Sequence, residues 1–150
     1  MTVQVIFLDI DGVLAPILDM NQYGDLDRAC VDVLNEIVAR SGAHVVVSSS
    51  WRFGKTVAEL QGMLEECGFV GRVVDKTPTE AGGFSRGEEI AAWLVEHPVD
   101  GCVILDDHGD MGELSGRLIR TNGTAGLRPS DADRALEKLA LEWTAQMLRR

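Results

Sequence analysis

The chain alternates short β-branched runs with longer stretches in which apolar residues return every three or four positions. Val3 to Leu8 is an almost wholly apolar run, and so are Val45 to Val47 and Cys102 to Leu105. Strands that lack polar alternation are those covered on both faces, as parallel strands beneath helices are. Leu26, Ala29, Cys30, Val33, Leu34, Ile37 and Val38 keep the i, i+3, i+4, i+7 spacing of an amphipathic helix, with Asp25 as its N-cap and an end near Ser41-Gly42. Val57, Leu60, Leu64 and Cys67 predict a second helix over 55–67, ended by Gly68. Ser85 stands three residues before Glu88, the signature of a capping box, and Ile90, Trp93 and Leu94 give the buried face of a third helix that Pro98 stops. Ser130 with Asp133 predicts a last capped helix bearing Leu136, Leu139, Ala140, Trp143 and Met147. Phe69 to Val74 reads as a short strand and Arg117 to Thr121 as an edge strand. Ala15 to Asp25 reads as a loop or short flap, and Lys76 to Gly83 as a loop.

This order of elements predicts an α/β fold, a doubly wound parallel sheet in three layers. Ligands of such sheets bind beyond the carboxyl ends of the strands. Three predicted strands finish there in polar groups: Asp9 and Asp11 on the first, Ser48 to Ser50 on the next, Asp106 and Asp107 on a later one. Residues at i and i+2 of extended chain project to one side, which puts Asp9 and Asp11 together. Gly12 lets the backbone turn and come close to a ligand. Paired carboxylates repel unless a proton or cation lies between them, and a hard cation such as Mg²⁺ relieves that repulsion. Clustered acids with a cation and a basic side chain suit phosphoryl transfer. Arg86, at the start of a helix, and Arg52 and Lys55, just after the serines, are the local cations available to hold phosphate.

Composition narrows the class. The 150 residues fit one domain spanning 1–150, and 45% hydrophobic with 25% charged residues is the balance of a globular chain. No apolar run approaches the roughly 18 residues that span a bilayer. MTVQVIFLDID has no basic region and meets acids by residue 9, so no export signal is expected and the cytoplasm is the expected location. Cys30, Cys67 and Cys102 are scattered, without CxxC or histidine partners, as reduced core thiols are. The net charge of −10 works against non-specific attraction to nucleic acid or anionic lipid, so a polyanionic substrate must be held by local basic residues or by a bound metal.

The DxDGV box at Asp9 to Val13, the serine-ending strand VVVSSSWR, a basic residue opening a helix at Arg86, and LDD at Leu105 to Asp107 resemble, in order, the motifs of the haloacid dehalogenase superfamily of phosphatases. With RGEEIAAWL and a late TAGLRPSDADRAL, the pattern is most similar to the small domain of this kind in multifunctional RNA-repair proteins. The resemblance implies that Asp9 is the nucleophile, taking the phosphoryl group as an aspartyl-phosphate, and that Asp11 is the general acid and then the base. It implies that Ser48 hydrogen-bonds a phosphoryl oxygen, with Ser49 as competitor because a one-residue slip moves the hydroxyl to the other face. Arg86 takes the place of the basic residue that neutralises the phosphoryl group; relatives more often carry lysine, and Lys76 is the competitor. Asp9, Asp106 and the backbone carbonyl of Asp11 are implied to bind Mg²⁺, with Asp107 in support and Asp110 orienting the loop. Gly12, Ser49 and Arg52 are the candidate substrate-binding residues.

Relatives enclose small substrates with inserted cap domains. Here Val13 to Asp25 has the size of a flap, and the 35 residues from Trp51 to Ser85 are used by a helix, a strand and a loop. Little or no cap is expected, and an open site admits a phosphorylated polynucleotide end, a nucleotide or a phosphoprotein. A small phosphometabolite, or a non-catalytic module that binds metal or phosphate, are the competing readings. His108 lies among the acids, but reads as a solvent-exposed loop residue. Trp51 is placed either to stack on a nucleobase or to pack against its own loop.

Overall fold

The computed structural model describes residues 3–19, 22, 23, 25–78 and 85–148. In chain order its strands are β1 Gln4–Leu8, β2 Ile17–Asp19, β3 Gln22–Tyr23, β4 His44–Val47, β5 Val73–Lys76, β6 Gly101–Asp106 and β7 Leu118–Arg120. The α-helices are α1 Arg28–Ser41, α2 Val57–Glu66, α3 Arg86–Glu96 and α4 Pro129–Leu139. Five strands form one parallel sheet in the order β5-β4-β1-β6-β7, and β2 with β3 makes a separate antiparallel pair inside the predicted flap. The chain steps outward from β1 to β4 and β5, then returns past β1 to lay down β6 and β7. That reversal opens a crevice beyond the ends of β1 and β6, where sheets of this kind bind ligands. No inserted domain covers it among the described residues.

Strand alternation sorts the core into two layers. Ile6, Leu8, Val45, Val47, Val103 and Leu105 pack with α1, α2 and α4. Val5, Phe7, Val46, Cys102 and Ile104 pack with Ile90, Trp93 and Leu94 of α3. Phe7 meets Trp93 edge to face, with 5.4 Å between ring centroids. The three-layer α/β sheet expected from the sequence is the fold. Cys30 and Cys102 are buried, Cys67 is half-buried, and all three are free thiols. No helix among the described residues is long and apolar enough to cross a membrane.

Several boundaries differ from the sequence reading, each for a tertiary reason. α1 is capped by Asp27, whose carboxylate accepts from Ala29 N–H, and not by Asp25. The Asp27 N–H is itself held by Leu14 C=O, which sets where the helix begins. β5 starts at Val73, not Phe69, because the Asn35 side chain binds Gly68 C=O and Val70 N–H and so occupies those backbone groups. Lys76 belongs to β5, and residues 79–83 of the predicted loop lie outside the described residues. α3 carries the Ser85/Glu88 capping box as expected, and α2 carries one at Thr56/Glu59. α4 begins after Arg128, where Asp131 accepts the Arg128 N–H, not at Ser130. It also stops at Leu139, short of Trp143 and Met147. Leu139 packs in the α1 layer while Trp143 packs in the α3 layer, so the chain must leave the helix to reach both. Arg117 fixes the exit: its guanidinium donates to the carbonyls of Lys138, Leu141 and Glu142 and lies over the Trp143 ring.

Phe7 is fully buried at the centre of the smaller layer, whereas Leu18 is 63% exposed. Phe7→Ala is expected to lower the free energy of unfolding by about 3–5 kcal/mol, and Leu18→Ala by less than about 0.5 kcal/mol, as measured by urea denaturation.

Candidate active site

Parallel register aligns the site across three strands. Leu8 pairs with Val47 on one side and with Leu105 on the other, so the next residues, Ser48, Asp9 and Asp106, stand in one row. Backbone bonds continue that row, with Ser48 N–H on Leu8 C=O and Asp9 N–H on Leu105 C=O. Neighbours in a parallel register point to one face. Val46, Phe7 and Ile104, two residues earlier in each strand, face α3, so all three side chains do as well.

The first turn of α3 supplies the counter-charge. Arg86 Nη1 lies 3.1 Å from Asp9 Oδ1 and 2.7 Å from Asp106 Oδ2. Burial works against the Arg86 charge, but Asp9 and Asp106 outweigh it and hold the guanidinium above its ordinary range. Asp106 is fully buried, and its other oxygen accepts the His108 backbone N–H at 2.9 Å. The His108 ring is not engaged there, and the residue is exposed, as Asp110 is. Lys76 lies elsewhere: its ammonium donates to Lys55 C=O at 2.6 Å and approaches Arg52 C=O at 3.4 Å. Of the two candidates, Arg86 is the cation that meets Asp9.

Asp107 completes the cluster through glycines. A Cβ on Gly12 would stand 2.4 Å from Asp107 Oδ2, and one on Gly123 2.9 Å from the same oxygen. Gly12 also has φ +83°, a left-handed conformation suited to glycine. The carboxylate thus packs against bare backbone, and Thr121 Oγ1 locks the turn by donating to Gly12 C=O at 2.7 Å.

Asp11 points to a different partner. Its Oδ2 accepts the indole N–H of Trp51 at 3.0 Å, while its buried Oδ1 has no partner. Trp51 therefore neither stacks outward nor merely fills space; it holds the second acid of the DxD pair. The sequence signal was its position directly after the serine strand, which crosses to β1 in this sheet order. Ser49 Oγ is used as a cap, accepting from Trp51 N–H, whereas the fully buried Ser48 Oγ has no partner. Of the two serines, Ser48 stands in the row with Asp9 and its hydroxyl has no partner, whereas Ser49 Oγ is held at the turn.

Arg52 differs most from its expected role as a substrate contact. It is 3% exposed and donates to the carbonyls of Thr77, Ser48 and Ser49 and to Glu89 Oε1. Burial lowers its pKa, with Glu89 opposing. These bonds tie the ends of β4 and β5 to α3 and leave the guanidinium as a brace.

One oxygen each from Asp9, Asp106 and Asp107 lies within 4.8 Å of the others. The Asp9 carboxyl is pushed up to about 8, chiefly by burial and then by the charge of Asp106, although Arg86 opposes both. Burial and Asp106 raise Asp107 as well. One guanidinium thus leaves the cluster under-neutralised, and an all-oxygen donor set fits a hard cation such as Mg²⁺. The Asp11 carboxylate is not among the three.

A five-stranded parallel sheet with an acidic pair ending its central strand, a serine on one neighbour and an aspartate on the other, defines an α/β domain of the haloacid dehalogenase class of hydrolases. A family model described as the HAD domain in Swiss Army Knife RNA repair proteins matches residues 5–132, and the chain belongs to that family. The comparison with curated proteins found no match.

Asp9 binds its proton far more readily when folded than at its ordinary 3.8. The folded chain therefore holds more protons between those values, so stability is full below about 3.8 and falls as pH rises through about 8. In a chelator, Asp9→Asn, which buries no charge, is expected to melt above the unaltered protein near pH 8 and to lose that advantage near pH 4. A thermal-melt gap that does not change with pH would contradict the assignment.

Proposed function

We propose that this chain is a Mg²⁺-dependent phosphomonoester hydrolase that works through an aspartyl-phosphate on Asp9 and takes the phosphorylated end of a polynucleotide or a nucleotide. The observation that carries the reading is the single row of Ser48, Asp9 and Asp106 beneath Arg86. Asp9, Asp106 and Asp107, with the Asp11 carbonyl, would hold the cation, which when bound supplies positive charge to the phosphoryl oxygens and keeps Asp9 ionised.

An Asp9 carboxylate oxygen attacks phosphorus, forming an acyl phosphate while the bond to the leaving oxygen breaks. Asp11, held by Trp51, gives that oxygen its proton. Asp11 then takes a proton from water, which attacks the phosphorus of the acyl phosphate, releasing phosphate and restoring Asp9. Ser48 offers its uncommitted hydroxyl to a phosphoryl oxygen, and Arg86 offsets the charge of the transferring group. Among the described residues no inserted domain stands over the strand ends to enclose a small metabolite, which favours a large substrate. Free thiols agree with a cytoplasmic location.

Asp9→Asn is expected to reduce turnover to background, and retained phosphatase activity would overturn the nucleophile. Asp11→Asn is expected to cost about 10²–10⁴ in kcat. Trp51→Phe keeps a ring and removes the N–H donor. It is expected to slow alkyl phosphates about tenfold and p-nitrophenyl phosphate much less, because nitrophenolate leaves without a proton. A substrate panel of 3′-phosphorylated oligonucleotides, mononucleotides, phosphopeptides and small phosphoesters tests the class, and preference for small phosphoesters would refute the polynucleotide reading.

A further inference from the structure

At the end of β7 and the start of α4 lies a pocket of about 360 Å³ lined by Arg120, Asn122, Arg128, Ser130, Asp131 and Arg134. Three of the chain's 14 basic residues meet there, in a protein of net charge −10. The one carboxylate in the lining is already used. Asp131 is buried, accepts Arg128 N–H at 2.9 Å, and pairs with Arg134 at 3.1 Å. Among the described residues, neither Arg120 nor Arg128 has a carboxylate within 4.0 Å, and all three arginines are exposed. The pocket is therefore locally positive and faces solvent.

Its position follows from the sheet. Arg120 pairs with Asp106 in register, and its Nε donates to Asp107 C=O at 3.0 Å. Asn122 and Gly123 follow directly, with Gly123 against the Asp107 carboxylate. Arg120, which lines the pocket, thus touches the backbone of Asp107, a member of the acidic cluster.

Arg120 thus stands between the acids that end β6 and the other two arginines of the pocket, within one strand register of Asp106. Guanidinium groups bind phosphate through paired donors and are the side chain best suited to it. Resting on the phosphatase reading for the reacting end, we infer that Arg120, Arg128 and Arg134 form a subsite for the flanking phosphodiester of a single-stranded polynucleotide. Such contacts position the strand without reading its sequence. They also reconcile an acidic chain with a polyanionic substrate, because the positive charge is local and the rest of the surface repels misplaced strands.

The test separates binding from turnover. Binding of a fluorescently labelled single-stranded oligonucleotide that carries no terminal phosphate is measured by anisotropy for the unaltered protein, Arg128→Gln/Arg134→Gln and Arg128→Lys/Arg134→Lys. Both positions are exposed, and circular dichroism verifies the fold. The glutamine pair is expected to bind at least fivefold more weakly, with a salt dependence shallower by about one to two charges, and the lysine pair is expected to retain most of the affinity. In turnover, the glutamine pair should raise KM for a phosphorylated oligonucleotide, while kcat and the rate on p-nitrophenyl phosphate stay unchanged. Ribo- and deoxyribo-oligonucleotides are run as separate arms to identify the source of the phosphodiester. Equal oligonucleotide binding by the glutamine pair and the unaltered protein overturns the subsite, as does a loss seen only with phosphopeptides. If no phosphoester is turned over by the unaltered protein while the binding difference persists, the phosphatase reading fails and the subsite stands.

Discussion

Two buried carboxylates set side by side are the constraint on which this site depends. Asp9 and Asp106 stand in neighbouring strands at the same level, and Arg86 bridges them. Repulsion between like charges grows as water is removed, so such a pair persists only with a cation against it or a proton on one member. Arg86 supplies that charge from the first turn of α3, whose Ser85/Glu88 box fixes where the helix begins. Burial and Asp106 together outweigh Arg86, so the Asp9 carboxyl stays raised.

Around that centre, groups suited to binding are used as supports. Arg52 is bound to three backbone carbonyls and Glu89, holding β4 and β5 against α3. Trp51 gives its indole N–H to Asp11, and Ser49 caps the turn that carries Trp51. These bonds restrict the rotamers of the side chains at the strand ends, which keeps a constellation drawn from separate strands in one geometry. Ser48 Oγ and Asp11 Oδ1 are left buried and unpartnered, a costly arrangement for a fold and a useful one for a site that receives a polar ligand.

Charge is divided by position. The molecule is acidic overall, its crevice is acidic at the strand ends, and arginines gather next to Asp107 on β7 and around the start of α4. The β6–β7 edge thus sets an acidic cluster and a group of arginines a few residues apart.

The sequence alone determined the sheet type, because unbroken apolar runs alternating with helical periodicity fit covered parallel strands. It also located the acidic and serine ends, because these sit at the last residues of those runs, and the Ser85/Glu88 cap that opens α3, because capping is local. Only the tertiary structure decided which cation meets Asp9, which serine stands in the row with it, that Arg52 is a brace and that Trp51 holds Asp11. These outcomes depend on strand order and register, which bring residues 9, 48, 86 and 106 together across long stretches of chain. Local pattern carries no such information. The early stop of α4 has the same cause, since Leu139 and Trp143 are drawn to opposite faces of the sheet and a continuous helix cannot serve both.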